Sequence, residues 1–164
     1  MTARSLSALA ILMTGAIFGF FYAWVCSTMW GLDLADPRTA MDAMKAMNAS
    51  VRNIVFFPAF FLTPVALAAA AVAWLVCRQR RSAALFALAA AIYLLFGLTL
   101  TATVNVPMNE ALAATPTPAG VEDARQIWSN YSQSWQFWNV VRTLASGTSL
   151  LLGTLGLMAA SRPE

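Results

Sequence analysis

Two arginines, one glutamate and four asparagines stand where so apolar a chain has reason to avoid them. Trp128, Tyr131, Trp135, Trp138, Asn139 and Arg142 follow one another at steps of three and four, with Trp138 and Asn139 sharing a turn, which lays them along one helical stripe. Upstream, Met41, Met44, Asn48 and Arg52 keep the same spacing. Between the two lies "NVPMNEAL", in which Asn105, Asn109 and Glu110 surround Pro107. Guanidinium and amide groups donate hydrogen bonds to an anion, indoles offer a flat surface to a ring, and a carboxylate can take up a proton. In a low dielectric such groups are drawn together, because each is costly in isolation. Glu110 is the natural counter-charge to one arginine. Two arginines against one carboxylate leave a surplus positive charge, which suits a phenolate, a carboxylate or a lipid phosphate. Blander readings compete: an interfacial aromatic belt with a snorkelling arginine for Trp128 and Tyr131, and a structural salt bridge beside a proline turn for the Asn-Pro segment. A belt, however, needs no amide and guanidinium on the face that carries the aromatics.

The elements that must position these residues are membrane helices. Hydrophobic residues make up 60% of the chain and charged residues only 10%, against about 25% charged in a soluble domain. Four runs, at about 6–30, 54–77, 83–104 and 138–160, approach or exceed the roughly 20 residues needed to span a bilayer. The expectation is all-α: a four-transmembrane-helix bundle forming a single integral membrane domain over residues 1–164. The first run is too long and too aromatic for a cleaved signal peptide. Arg78, Arg80 and Arg81 lie in the short turn between the second and third runs, Arg4 precedes the first, and Arg162 follows the fourth. Four spans put all of them on one side, which the positive-inside rule makes the cytoplasm. The expected location is an inner membrane of bacterial type, multi-pass, with both termini cytoplasmic. The net charge of +3 then reflects topology and not binding to nucleic acid.

Local signals refine the bundle. Asp36 before Pro37 reads as an N-cap followed by proline at the first helical position, and nothing from there to Asn53 breaks a helix. The second helix is therefore expected to start outside the membrane and run straight in, kinked by Pro58 and Pro64. The third is expected to end near 104–106, before Pro107, freeing backbone groups toward a cavity. Thr117 and Pro118 read as the cap and first residue of a fourth helix that also starts outside. Helices 2 and 4 would thus extend into an extracytoplasmic cap. Gly15-x-x-x-Gly19 is a candidate helix-packing seam. Cys26 and Cys77, at opposite ends of their spans, are too far apart for a disulfide and read as packing residues. The chain contains no histidine, which excludes His-ligated haem and His-containing metal sites. Neither a metal nor a resident cofactor is expected, so redox chemistry would come from the substrate or a borrowed cofactor.

"AMNASVRN", "NVPMNEAL" and the series Trp128, Tyr131, Trp135, Trp138, Asn139, Arg142 together resemble the anthrone-oxygenase-like family of four-helix integral membrane proteins. The resemblance covers nearly the whole chain. Characterised fungal relatives oxidise anthrones to anthraquinones with molecular oxygen, without metal or flavin. What it implies here is a cofactor-independent oxygenase for a lipophilic phenolic, anthrone or quinol-type substrate. The substrate would stack on Trp128, Trp135 and Trp138 and be oriented by Asn48, Asn105, Asn109 and Asn139. Arg52 and Arg142 would hold its enolate or phenolate, and Glu110, or else Tyr131, would act as general base. The alternative is a non-catalytic protein that binds a lipid, a quinone or a haem-like anion as carrier, sensor or accessory subunit. Expected partners are the lipid bilayer, a lipophilic small molecule, molecular oxygen for an enzyme, and a second copy of the chain in a homo-oligomer.

Overall fold

The computed structural model describes residues 2–160, so Arg162 lies outside the described residues. Every element in it is helical. Four helices are long and apolar enough to cross a membrane, and the chain is an integral membrane protein. We label the helices α1 (Ala3–Leu34), α2 (Pro37–Ser50), α3 (Phe56–Val76), α4 (Arg80–Ala114) and α5 (Val121–Met158). At 1.5 Å per residue, the 38 residues of α5 extend about 57 Å, against a hydrocarbon thickness of about 30 Å. The same holds for the 32 residues of α1 and the 35 of α4. These three helices therefore overshoot the apolar layer, and with α2 they build a cap at the end opposite the Arg78–Arg81 turn.

Within the apolar layer α1 packs on α3 and α5, and α4 packs on the same two, which makes a four-cornered bundle. Its core is Ile17, Phe21, Phe60, Leu67, Phe86 and Tyr93. Leu12, Leu62, Val72, Leu144 and Met158 face outward, as lipid-facing residues should. The cap has a second core, in which Met29, Met41, Met44 and Leu112 pack around Trp128, Tyr131 and Trp135. Asp36 caps α2 as its residue type leads one to expect, accepting from the Arg38 N–H at 2.9 Å. The Arg38 side chain hydrogen-bonded to it holds this carboxyl down to about 2.

Three local expectations are corrected. The second helix does not run straight in. It breaks over 51–55, where Asn53 serves both ends: its Nδ2 donates to the Ser50 carbonyl (2.6 Å) and its Oδ1 accepts from the Val55 and Phe56 N–H groups (2.9 Å each). Pro58 then falls in the first turn of α3, where a missing N–H costs nothing. The third helix does not end at Pro107. It widens into π-helical turns over Tyr93–Thr99 and Thr101–Asn105 and continues to Ala114. The wide turn just before the proline makes room between its ring and the preceding carbonyls, which is where an α-helix would clash. The fourth helix starts at Val121, not Pro118. Thr117 instead hydrogen-bonds Asp42 and accepts from Lys45 Nζ at 2.9 Å. That ammonium also caps the end of α4 through the Thr115 carbonyl, at 2.7 Å.

Two packing expectations change as well. Nothing approaches a Cβ built at Gly19, and only Leu150 comes near one at Gly15. The tight seam lies on α5 instead, where a Cβ on Gly156 would meet the Phe86 ring at 2.9 Å. Cys26 and Cys77 are free and exposed on the outer faces of their helices rather than packed inside.

Pro64 lies inside α3 and leaves the Phe60 carbonyl without its usual helical donor. The Tyr93 hydroxyl on α4 donates to that carbonyl at 3.1 Å. Tyr93→Phe should therefore lower stability by about 1 kcal/mol. The same change should cost clearly less in a Pro64→Ala background, where the helix supplies its own donor. Thermal denaturation of the four variants in one detergent checks this; equal losses in both backgrounds would contradict it.

Candidate functional site

A cavity of about 820 Å³ opens where the bundle meets the cap, and all four spans line it. Phe20, Phe21 and Trp24 of α1, Phe56, Phe60 and Phe61 of α3, and Trp135 of α5 make its walls aromatic. Polar groups enter at two levels. Arg142 lies deep, and Asn48, Arg52, Asn109 and Glu110 lie toward the cap. Thr101, which touches Arg142, precedes Glu110 by nine residues on α4, which separates the two levels by roughly 13 Å.

Arg142 is only 5% exposed. Its Nη2 donates to Asn139 Oδ1 at 2.8 Å and its Nη1 to Thr101 Oγ1 at 3.3 Å. The guanidinium carbon stands 4.5 Å from the Phe21 ring centre and 5.2 Å from that of Trp135. Among the described residues no carboxylate forms an ion pair with it. Asn139 is itself anchored, its Nδ2 donating to the Phe21 carbonyl at 3.1 Å. The cation is thus held by neutral oxygens and two ring faces, and its charge is not cancelled.

Above it, three helices share a closed ring of hydrogen bonds. The Tyr131 hydroxyl donates to Asn109 Oδ1 (2.8 Å), Asn109 Nδ2 to Asn48 Oδ1 (3.1 Å), and Asn48 Nδ2 to the Tyr131 oxygen (3.4 Å). Trp135 Nε1 adds a further bond to Asn109 Oδ1 at 3.0 Å. Asn109 Oδ1 accepts twice and is filled within this network, Asn48 Oδ1 accepts once, and each Nδ2 keeps a second N–H. Since Asn48 and Asn109 line the cavity, its upper wall can offer two amide N–H donors. At the rim Arg52 pairs with Glu110 at 3.4 Å, with side chains 51% and 61% exposed. An ion pair so open to solvent contributes less than about 1 kcal/mol, so it can part at little cost.

Of the residues singled out from the sequence, Asn48, Arg52, Asn109, Glu110, Trp135 and Arg142 come together around this cavity. Tyr131 and Asn139 stand behind it, each bonded to a lining residue. Trp128 lies higher, in the cap core, with its Nε1 bonded to Asp33 at 3.0 Å. Trp138 is off the buried stripe, half-buried against Phe137. Asn105 is fully buried and does not line the cavity. Trp24, Thr101 and Asp33 were missed. Asp33 gathers Trp128, Ser132 (2.6 Å) and Gln136 (2.9 Å) and so locks the top of α1 to α5. A lone acid one turn beyond the first apolar run was its only sequence signal. Trp24 opens the π-turn Trp24–Thr28 and packs on Trp135 at 5.1 Å, but a wide turn leaves no mark in residue spacing. Among the described residues no three Cys, Asp or Glu side chains cluster in a way that could hold a metal.

The family model for anthrone oxygenase matches residues 53–152. That is more than half of the 164 residues, and the chain belongs to the anthrone oxygenase family. No curated protein and no solved structure matches it. The matched residues hold α3, α4 and most of α5, and so include Asn109, Glu110, Trp135 and Arg142. The cavity walls on α1 and α2 fall outside them.

The cavity reaches the outer surface of the bundle beside Phe57 and Phe61, which are exposed. α3 packs along α4 through the π-turn Tyr93–Thr99 and then parts from it. Phe57 and Phe61 on α3 and Thr101 and Val106 on α4 line the cavity on this side. A cysteine at Val106, in a protein carrying Cys26→Ser and Cys77→Ser, should react at least tenfold faster with a lipid-soluble maleimide than with a charged thiosulfonate. Equal rates would place the entrance in water.

Proposed function

We propose that this member of the anthrone oxygenase family is a membrane-embedded oxygenase for a lipophilic phenol, anthrone or quinol, with the substrate's own anion as electron donor to molecular oxygen. The observation that carries this reading is Arg142, a buried cation without a counter-charge at the closed end of an aromatic cavity. An arginine at membrane depth costs about 3 kcal/mol even on insertion scales. Two cation–π contacts and two neutral acceptors offset part of that. An anionic oxygen would complete the balance, and such a site binds the anion more tightly than the neutral acid.

The roles follow from position. Arg142 receives the oxygen on which negative charge accumulates. The free N–H groups of Asn48 and Asn109 orient the upper part of the ring system, and Trp24 and Trp135 flank it. Glu110, at the rim, is the general base. Arg52 holds it in place while the cavity is closed. Tyr131 is a positioning residue, because its proton is committed to Asn109. Base and cation stand at opposite ends of the cavity. This suits a substrate whose acidic proton and oxygen terminus are joined through conjugated rings, so that charge created at one end appears at the other. For a methylene carbon so activated, the balance is one O₂ consumed, one oxygen retained as carbonyl and one released as water with the two hydrogens. A membrane phospholipid fits less well, since its phosphate belongs at the interface and Arg142 lies well below it. The substrate enters from the bilayer through the opening between α3 and α4. With the Arg78–Arg81 turn cytoplasmic, the cap and the cavity lie on the outer side.

The test uses detergent-purified protein with 2-naphthol as probe. The bound naphthol should ionise at least one pH unit lower than in the detergent alone, and Arg142→Gln should abolish that shift. With a hydroxyanthrone the protein should consume oxygen. Glu110→Gln should slow this by roughly 10²-fold or more while leaving naphthol affinity unchanged. A naphthol shift without any oxygen uptake would replace the oxygenase by a carrier or sensor of aromatic anions. No shift at all would end both readings.

A further inference from the structure

Asn105 is 0% exposed, and neither its Nδ2 nor its Oδ1 has a hydrogen-bond partner. Arg142 Nε is likewise buried and unpaired. Leaving one buried donor or acceptor unsatisfied is costly, and native interiors answer such groups with protein or ordered water. The two sets of orphans lie on elements that pack together. Asn105 closes the π-turn Thr101–Asn105, Thr101 at the start of that turn accepts from Arg142 Nη1, and the turn packs against α5.

We infer that a single ordered water binds between the α4 π-turn and Arg142, behind the cavity wall. A water can accept from Asn105 Nδ2 and Arg142 Nε and donate to Asn105 Oδ1, which meets the two to four partners that a buried water needs. Asn105 does not line the cavity, so the substrate is not the group that satisfies it. With Asn139 on Nη2, Thr101 on Nη1 and water on Nε, three edges of the guanidinium are pinned. The remaining N–H on each Nη is then free for the cavity. The wide turn gains a purpose here: it ends on a fully buried Asn105 amide. This site stands whether or not the oxygenase reading does.

The wild-type protein provides the first test. A crystal structure beyond about 2 Å resolution should show a density peak within hydrogen-bond distance of both Asn105 and Arg142 Nε. A dry contact, or an Asn105 side chain turned onto a protein partner, would overturn the inference. Stability provides the second. Asn105→Leu removes the amide at nearly constant volume. With the water present it should lower the melting temperature by about 3–6 °C, whereas with dry, unpaired amide groups it should raise it. In a double-mutant cycle with Arg142→Met the two losses should be clearly non-additive; additive losses would show that the two residues share no ligand. Should Asn105→Leu fail to fold, Asn105→Ser takes its place in the cycle.

Discussion

A guanidinium that cannot be neutralised by its surroundings governs the middle of this molecule. A carboxylate would cancel the charge of Arg142, but the bundle pairs it with none among the described residues. It provides the hydroxyl of Thr101, the amide oxygen of Asn139 and the faces of Phe21 and Trp135. All are electron-rich and neutral, so they lower the cost of burial without removing the charge. The helix assignments follow from this. α1 must bring Phe21, α4 must bring Thr101, and α5 carries the arginine with Asn139 one turn before it. The fourth corner, α3, contributes aromatic wall and no counter-charge.

The cap makes the same choice of sign one level higher. The Asn48–Tyr131–Asn109 ring, with Trp135, fills both acceptor positions of Asn109 and leaves one N–H over on each amide. A cavity whose deep end is cationic and whose upper wall presents amide N–H groups favours electron-rich oxygen at both levels, with Glu110 as an acceptor at the rim. That preference is fixed in advance, because each member of the ring is held by two others from different helices. Asp33 performs the corresponding task for the helices themselves, tying the top of α1 to three successive turns of α5. Only the rim departs from this rigidity. Arg52 belongs to a helix break rather than a helix, and its pairing with Glu110 is open to solvent.

Much of this was legible in the residues. Four spans, and the gathering of Asn48, Asn109, Glu110 and Arg142 around one cavity, follow from apolar run lengths and from the cost of isolated polar groups in hydrocarbon. What escaped has a common physical cause. Three- and four-residue spacing presumes an α-helical phase, and α1 and α4 change phase at π-turns that residue identity does not announce. Pro107 was therefore read as a stop when a wider turn lets the helix pass it. The break over 51–55 escaped because its maker, Asn53, acts through side-chain bonds to two helix ends at once, and a single asparagine predicts no such double cap. Trp138 fell off the stripe because it shares a turn with Asn139, and one helix face cannot bury both.

The division of the cavity between its helices bears on how its chemistry and its selectivity can vary apart. Arg142, Thr101, Asn109 and Glu110, which would hold and create the anion, all lie within the residues matched by the family model. Trp24, Phe20 and Asn48 face them from α1 and α2, outside that match. On the proposed reading the first set determines which proton leaves and where the charge settles, while the second determines how wide a ring system lies between. Replacing Trp24 by a smaller residue enlarges the space beside Trp135 without touching any group that contacts Arg142 through a hydrogen bond. Changing Thr101 or Asn139 alters the cation's orientation whatever the ring. The two walls thus answer to different physical demands, volume on one side and electrostatics on the other, and the substrate is selected only where both are met.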